Sequence, residues 1–549
     1  MIKEELRILF SYDNIAQELN KIDSIILNEI DSENFSQEVL SVYKKFQPMK
    51  QNAPESMKVN LFSTIRNFAF DSKENCRHID SLILYRFLIA KNGVEVQDFP
   101  FIAEIFVKMN YKEEAIEFIN YYKDREENLP LKYITLGNFY NIFLKDFKTA
   151  IKYYEKYVEI DKTKSVVYTI LANLYLKAYG ENSRSQQLFY WEKANNLKPN
   201  DRLILHGLAF CSEKLGKTDD AHKYYKMLLK NNPTATDYYN YGAFLIHCGD
   251  FVNGHKYFVY RNFIDNEVFN KTLTPQLESI QKLKGDLSGK TLLVHYEQGF
   301  GDTIMYSRYV PKLQNIAKKV IFVVQDALYD LIKNSKFFNG VEIISDSVDI
   351  NKLAYDLPIM LLDAPMLLSN PDPEVICNNA YLNVPSSDIK QYSAKNIIKD
   401  NKFKIGIAYS GDKSANYDGR DIDLRKFSFL KSYKNCQIYS LQKDETETID
   451  GIIPLGMKFK DFTDTACAIK NMDLVISTDN VILNLAGALG VKTIGLFNKQ
   501  TNYRWYITKG KNVGWYKSVY PIQAKSLDDW DSVFSELINS LQNLNKTQK

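Results

Sequence analysis

The chain has 549 residues, of which 45% are hydrophobic and 25% are charged. At about 100–200 residues per domain, this length predicts roughly three domains. The composition is that of an ordinary globular protein, which excludes a fully disordered or membrane-embedded chain. A net charge of only +3 gives no indication of a nucleic-acid partner bound through its phosphates.

Cysteine and histidine usage argues against a metal site. None of the six cysteines forms a CxxC pair or lies near a histidine cluster, so we expect no zinc site and no disulfide framework. The N-terminus MIKEELRILFS carries glutamates where a signal peptide would have a basic and then an apolar stretch, and every apolar run is shorter than the roughly 18–20 residues of a membrane span. We therefore expect a cytoplasmic protein. The last 254 residues, after His295, contain no histidine base or ligand.

Small residues recur at spacings of 34, 35, 37 and 33 positions, each four residues after a large apolar one. This period is typical of the tetratricopeptide repeat, a helix–turn–helix unit in which small residues let paired helices approach closely. We predict such repeats over residues 96–284. Residues 1–95 look helical without a clean register, as degenerate repeats or a cap. The small residues are Ala103, Gly137, Ala172, Ala209 and Gly242, with a second set at Ala115, Ala150, Ala221 and Gly254.

Arrays of this kind curve into a concave groove that usually binds a protein segment. The repeats are therefore predicted to recognise a protein or peptide. The alternatives are a spacer, or a dimerisation element that makes the chain a homo-oligomer.

After residue 284 the helical period gives way to short β-rich runs that alternate with helices. Such alternation predicts parallel sheets, here two Rossmann-like domains over residues 285–395 and 396–549, with ligands at the carboxyl ends of the strands. The runs are TLLVHY, KVIFVVQ, VEIIS and DLPIMLL, then, after the polar stretch SSDIKQYSAKNIIKDNK, the runs FKIGIAYSG, CQIYSLQ, DLVIST and KTIGLF.

The loop after the first strand carries the first candidate site. Gly299 and Gly301 allow a tight turn, and Asp302 follows at the start of a helix. The third glycine of a dinucleotide fingerprint is missing. Asp302 is either a helix cap or a carboxylate base that faces the cleft, and its spacing does not decide between the two.

The second α/β domain carries further candidates after two of its strands. Gln442 and Lys443 follow one strand, and Lys443 is either a solvated lysine or a diphosphate contact. A strand-to-helix turn places polar groups where a helix N-terminus favours an anion. Its acid, Asp479, would cap the helix or accept from a sugar hydroxyl. The residues of this turn are Ser477, Thr478, Asp479 and Asn480.

Asp421-Ile422-Asp423 has the DxD form of a metal–diphosphate motif. Because Arg420 and Arg425 flank this acidic pair, we interpret it as a salt-bridged loop.

An ordered series of motifs resembles bacterial tetratricopeptide-repeat glycosyltransferases over about residues 95–540. These are GT-B enzymes, with two Rossmann-like domains, related to lipopolysaccharide heptosyltransferases and distantly to protein O-GlcNAc transferases. The resemblance implies a tetratricopeptide-repeat solenoid followed by a GT-B pair. The motifs are HYEQGFGDTIMYSRYVPKL, IGIAYSG, YSLQKD, DFTDTACAIKNMDLVISTDNVILNLAGALGVKTIGLF, NYRWY and GWY.

The resemblance also implies roles for individual residues. Asp302 matches the proposed general base, Lys443 a lysine near the donor diphosphate, and Asp479 the acid of an S-x-D-T segment. The family usually has a histidine where this chain has Asn484, and asparagine can still donate one hydrogen bond to a phosphate oxygen of the donor but cannot carry the positive charge. The arginine-rich loop is also altered, to NYDGRDIDL, which keeps Arg420.

The function implied is transfer of a sugar from a nucleotide-sugar donor to a hydroxyl, inverting and without metal or cofactor. The acceptor is expected to be a protein docked by the repeats, by analogy a bacterial surface or flagellar protein. Tyr503 and Trp505 either pack against the donor base or sugar or belong to the core. The alternatives are an adaptor that keeps the fold with attenuated catalysis, and a transferase acting on glycan or lipid-linked acceptors.

Overall fold

The protein is described here from a computed structural model, in which the chain forms two units, Met1–Leu215 and Gly216–Lys549. The predicted helical region at residues 1–95 falls partly outside the described residues. The structure describes residues 17–29, 36–46, 54–264, 286–397, 400–411, 419–443, 447–506 and 513–547.

The first unit is helical through the residues described, as the repeat pattern predicts. Antiparallel neighbours such as α5 with α6 and α9 with α10 form the expected pairs. The helices are α1 (Gln17–Glu29), α2 (Gln37–Phe46), α3 (Glu55–Glu74), α4 (His78–Ala90), α5 (Asp98–Lys108), α6 (Lys112–Arg125), α7 (Leu129–Asn138), α8 (Phe147–Ile160), α9 (Ser165–Tyr179), α10 (Arg184–Leu197) and α11 (Arg202–Lys214).

The predicted small positions lie where paired helices come closest. Ala103, Ala115 and Ala150 are fully buried. A Cβ atom at Gly137, on α7, would lie 3.0 Å from the ring of Tyr154, on α8. Small side chains are therefore what allows these helices to pack at this distance.

The second unit begins with three more helices of the repeat type, α12 (Thr218–Leu228), α13 (Ala235–His247) and α14 (Phe251–Phe258), and a 3₁₀ turn over Val259–Phe263. Gly242 and Gly254 let α13 and α14 touch through their backbones. A Cβ at Gly242 would lie 2.4 Å from the main-chain nitrogen of Phe258, so any larger residue would push the helices apart.

Two all-parallel sheets follow in the same unit. The first contains β1 (Thr291–His295), β2 (Lys319–Val324), β3 (Glu342–Ser345) and β4 (Leu357–Met360) in the order β3-β2-β1-β4. The second contains β5 (Phe403–Ala408), β6 (Cys436–Ser440), β7 (Ile452–Pro454), β8 (Leu474–Thr478), β9 (Thr493–Phe497) and β10 (Val519–Gln523) in the order β10-β9-β8-β5-β6-β7. Numbered within its own sheet from β5, this second order is 3-2-1-4-5-6, that of a Rossmann fold.

Helices connect the parallel strands, so the predicted fold class, tetratricopeptide-type helices followed by two α/β sheets, is confirmed. The helices are α15 (Phe300–Ser307), α16 (Asp326–Lys333), α17 (Pro373–Cys377), α18 (Ser386–Asn396), α19 (Phe462–Lys470), α20 (Val481–Ala488) and α21 (Trp530–Thr547).

The structure adds three elements that the pattern did not predict. The polar stretch after residue 385 forms α18, which buries Tyr392. Strands β7 and β10 lie at the two edges of the second sheet. Strand β7 has only three residues, and β10 exposes Tyr520 and contains Pro521, so neither reads as a buried apolar run.

None of the helices in the described ranges combines the length and the apolar character needed to cross a membrane.

His255, on α14, is buried with both ring nitrogens lacking a hydrogen-bond partner among the described residues. The rings of Phe258, Tyr306 and Tyr309 lie within 6.3 Å of its own ring, centroid to centroid. Burial, with a smaller contribution from Arg261, lowers the pKa of His255 to about 3. The imidazole is therefore neutral in the folded protein over the usual pH range.

This burial predicts a pH-dependent stability. An unfolded histidine takes up a proton near pH 6.5, whereas folded His255 does so only near pH 3, so this residue destabilises the fold as the pH falls between those values. Between pH 7 and pH 5 the loss from this residue is about 2 kcal/mol. His255→Phe should remove that part of the pH dependence, measured by urea denaturation at the two pH values. An identical slope in the variant would contradict the assignment.

Candidate functional site

The carboxyl ends of β5 and β8 lie side by side at the point where the order of the second sheet reverses, which is where open α/β sheets bind ligands. Ser410 follows β5, and Asn480 follows β8. The Asn480 Nδ2 donates to the main-chain oxygen of Ser410 at 3.3 Å. Two motifs predicted from separate parts of the sequence therefore meet at this edge.

The turn after β8 is built by its own polar side chains. The Oδ1 of Asn480 accepts from the amides of Ile482 and Leu483, at 2.9 and 3.3 Å, and so caps α20. The hydroxyl of Ser477 donates to the same Oδ1 at 3.0 Å, and Ser477 and Thr478 are fully buried. Asn480 is therefore the N-cap of α20, and the neighbouring Asp479 is not.

Asp479 is half-buried beside two cations. The Nη1 of Arg420 donates to its main-chain oxygen at 3.4 Å, and the indole of Trp505 is hydrogen-bonded to its carboxylate. Burial raises the pKa of Asp479, and Trp505, Arg504 and Arg420 oppose that rise. Trp505 is only 1% exposed and packs on Phe497, with ring centroids 5.1 Å apart. The sequence left two possibilities for Trp505, packing against the donor or burial in the core, and the structure buries it in the core. Its hydrogen bond also orients Asp479.

Gln442 is hydrogen-bonded to Ser410, as Asn480 is, whereas Lys443 is exposed to solvent. The Oε1 of Gln442 accepts from the amide of Ser410 at 3.3 Å. Among the described residues, Lys443 has no hydrogen bond or ion pair that fixes its side chain.

Both aspartates of the DxD segment contact neighbouring residues. Asp421 accepts from the amide of Gly411 at 2.9 Å, and Asp423 pairs with Arg425 at 2.6 Å. The guanidinium of Arg420 lies against Gly411, where a Cβ atom would be 2.4 Å away. Within the described ranges, no group of three or more histidine, cysteine, aspartate or glutamate residues could hold a metal ion.

Asp302 is the third residue of α15, and the amide of Gly299 donates to its carboxylate. This contact stabilises the start of the helix. The same carboxylate forms an ion pair with Arg504, whose Nε lies 2.5 Å from Oδ1, and 16% of its side chain is exposed. Burial raises the pKa of Asp302, and Arg504 partly opposes the rise. Asp302 thus contacts the helix start and an arginine, with part of its surface open.

Helix α15 packs against α20, which brings the first loop to the second sheet. A Cβ atom at Gly301 would lie 3.2 Å from the Nδ2 of Asn484. Asn484 is 5% exposed, and its amide is engaged within the protein: Nδ2 donates to the oxygen of Asn480 at 3.1 Å, and Oδ1 accepts from the hydroxyl of Tyr516 at 3.0 Å. Asn484 therefore fills a structural position between the helices.

Two arginines of the site had no predicted role. Arg504 lies in the NYRWY motif, beside the buried hydroxyl of Tyr503, whose ring packs on Phe258 at 5.1 Å between centroids. Arg261 has no exposed surface and pairs with Glu297, just after β1, at 2.6 Å. Arg504 could have been noticed as the one charged residue of its motif. Nothing in the repeat pattern distinguishes Arg261.

No protein-family model matches the chain, and no curated protein matches it. Among solved structures, a glycosyl transferase family 9 protein from Veillonella parvula DSM 2008 is 12% identical over 48% of this chain and 99% of that one, with a TM-score of 0.36. The C-terminal part of a TPR repeat-containing protein from Cytophaga hutchinsonii is 19% identical over 45% and 89%, with a TM-score of 0.29. YrrB, described as a TPR protein with an unusual peptide-binding site, is 18% identical over 32% and 88%, with a TM-score of 0.27. These scores are too low to support an inference about function.

Proposed function

We propose that this protein is a glycosyltransferase that moves a sugar from a nucleotide-sugar donor to a hydroxyl. The observation that carries the proposal is the approach of Asp302, from the first sheet, to the ligand-binding edge of the second sheet through the contact of α15 with α20. A transferase needs these two parts together, an anion-binding edge for the donor and a base for the acceptor.

In the proposed reaction Asp302 accepts the proton of the attacking hydroxyl while the new glycosidic bond forms. The bond between the sugar and the diphosphate breaks, and the nucleoside diphosphate leaves with the electron pair. Arg420, Lys443 and the amides near Thr478 to Asn480 would stabilise the charge that develops on the diphosphate. No metal or cofactor is part of this proposal, and inversion at the anomeric carbon follows from the resemblance.

The proposed acceptor is a protein held by the repeats, of the bacterial surface or flagellar class that similar architectures suggest. The helix pairs α5–α10 are the elements that would dock it. A glycan or lipid-linked acceptor is the alternative within the same enzyme class.

An adaptor with attenuated catalysis is favoured by one observation. The amide of Asn484 already has partners in Asn480 and Tyr516, and it replaces the histidine that the resemblance would lead one to expect. A thermal-shift panel of UDP, GDP, ADP, CMP and their sugars separates the two functions. A higher melting temperature with one nucleotide series supports the transferase, and an unchanged melting temperature with every nucleotide supports the adaptor.

Arg420→Ala should weaken binding of the nucleotide selected by that panel. Loss of a charge-assisted hydrogen bond to phosphate costs about 1.5–3 kcal/mol, which is about 10–100-fold in Kd by titration calorimetry. Arg425→Ala is the matched control, because Arg425 is exposed and paired with Asp423. Equal effects of the two substitutions would contradict a diphosphate contact by Arg420.

Asp302→Asn should leave nucleotide binding within about 3-fold of wild type and lower turnover by about 10²–10⁴-fold, since the amide cannot accept the proton. Turnover is measured as release of nucleoside diphosphate from the nucleotide sugar. Asp423→Asn is the control, and it should have little effect because Asp423 lies in the salt-bridged loop. If Asp423→Asn abolishes turnover and Asp302→Asn does not, a DxD mechanism replaces this one.

Removal of residues 1–215 should separate acceptor docking from chemistry. The remaining unit, Gly216–Lys549, keeps Arg261 and both sheets, so donor binding and slow donor hydrolysis should persist. Transfer of radiolabelled sugar to proteins of a cell lysate should be lost. A fragment that labels proteins as well as the full chain, with thermal unfolding and nucleotide binding confirming that it is folded, would exclude docking by these repeats.

A further inference from the structure

In the part of the chain that the structure describes, Arg504 contacts the loop between β1 and α15 from the side of the second sheet. Its Nε lies 2.5 Å from the Oδ1 of Asp302, and its Nη2 donates to the side-chain oxygen of Gln298. The main-chain oxygen of Arg504 accepts from the indole of Trp515. The guanidinium therefore bridges Gln298, in the loop, and Asp302, in the first turn of α15, while its own backbone is anchored in the second sheet's half.

The same loop has a backbone conformation that needs support. Gln298 has a φ of 65°, in the left-handed region that residues with a side chain rarely adopt. Such a conformation persists when surrounding contacts impose it. Arg261 pairs with Glu297 on one side of Gln298, and Arg504 contacts the Gln298 side chain itself. Arginine contacts thus hold both Gln298 and its neighbour Glu297.

The charges around Asp302 make a cation necessary for its function. Asp302 must be ionised to accept a proton, but burial and the nearby Glu297 both raise its pKa. Arg504 acts in the opposite direction and favours the carboxylate. The titratable and charged groups that act on Asp302, or on which Asp302 acts, are Arg504, Glu297, Asp479, Tyr306 and Tyr503.

We propose that Arg504 is a positioning residue for the base, holding the Asp302 carboxylate in place at the start of α15. The inference rests on the proposed function, because it assigns Asp302 the role of base. It adds a residue from the other α/β half to that role, so the base is complete only when both halves are packed together. In this role Arg504 acts through Asp302.

The test compares Arg504→Gln, which removes the charge, with Arg504→Lys, which keeps it. The readout is the pH profile of nucleoside diphosphate release from the nucleotide sugar. Arg504→Gln should lower kcat at least tenfold, leave the donor KM within about 3-fold, and move the acidic limb of the profile up by at least one pH unit. Arg504→Lys should restore the acidic limb and part of kcat.

Arg308→Lys is the control for a purely structural effect. Arg308 is fully buried, whereas the side chain of Arg504 is 16% exposed, and Arg308 donates to the main-chain oxygens of Met305 and Cys377 rather than pairing with Asp302. This variant should lose thermal stability without any shift of the acidic limb. An Arg504→Gln profile that coincides with wild type, or a higher donor KM at unchanged kcat, would overturn the positioning role, and the second result would make Arg504 a donor ligand.

A stability cycle separates failure of this inference from failure of the proposed function. The unfolding losses of Asp302→Asn and Arg504→Gln should not add in the double variant, because the two side chains form one pair. Full turnover in Asp302→Asn, or none in the wild type, would overturn the proposed function and with it the role of Arg504, even with the pair intact. Wild-type turnover that depends on Asp302 but not on Arg504 would overturn the inference alone.

Discussion

Compensation of a buried positive charge at Arg261 is the constraint on which the second unit depends. An arginine without exposed surface is costly to bury unless carboxylates or other hydrogen-bond acceptors compensate its charge. Glu297 and Asp363 do so, each 2.6 Å from the guanidinium, and they follow β1 and β4, the two strands at the reversal of the first sheet. Loss of Arg261 would leave two carboxylates buried together, at a cost of about 3–5 kcal/mol. The 3₁₀ turn after α14 is therefore fixed to the carboxyl edge of the first sheet.

The same constraint reaches the candidate site through the chain itself. Glu297 lies five residues before Asp302, so the pair with Arg261 also fixes the start of the loop that carries the proposed base. Apolar packing reinforces the connection, since Phe251 and Phe258 of α14 share a core with the strands of the first sheet. The last helices of the repeat type are thus part of the body that holds the site, and docking of an acceptor would fall to the helices before them.

Motifs at the ends of strands were predictable because parallel strands place their carboxyl ends on one edge, whatever their order. Ser477, Asn480 and Gln442 are indeed joined to each other or to the Ser410 loop there. Arg504 was not predictable in this way. It belongs to an irregular segment after β9, and only the packing of the two sheets brings it to Asp302. The hydrogen bond from Tyr516 to Asn484 could not be predicted for the same reason.

The sequence by itself determined the class of fold, because the 34-residue period and the alternation of strands and helices are local patterns of side-chain size and polarity. It also determined which loops carry polar groups, and that no histidine follows His295. The tertiary structure alone decided the partners of the buried charges, Arg261 with Glu297 and Arg504 with Asp302. The members of each pair lie far apart along the chain. A buried charge must be neutralised by a partner at short distance, and only the packing of the helices and sheets sets that distance.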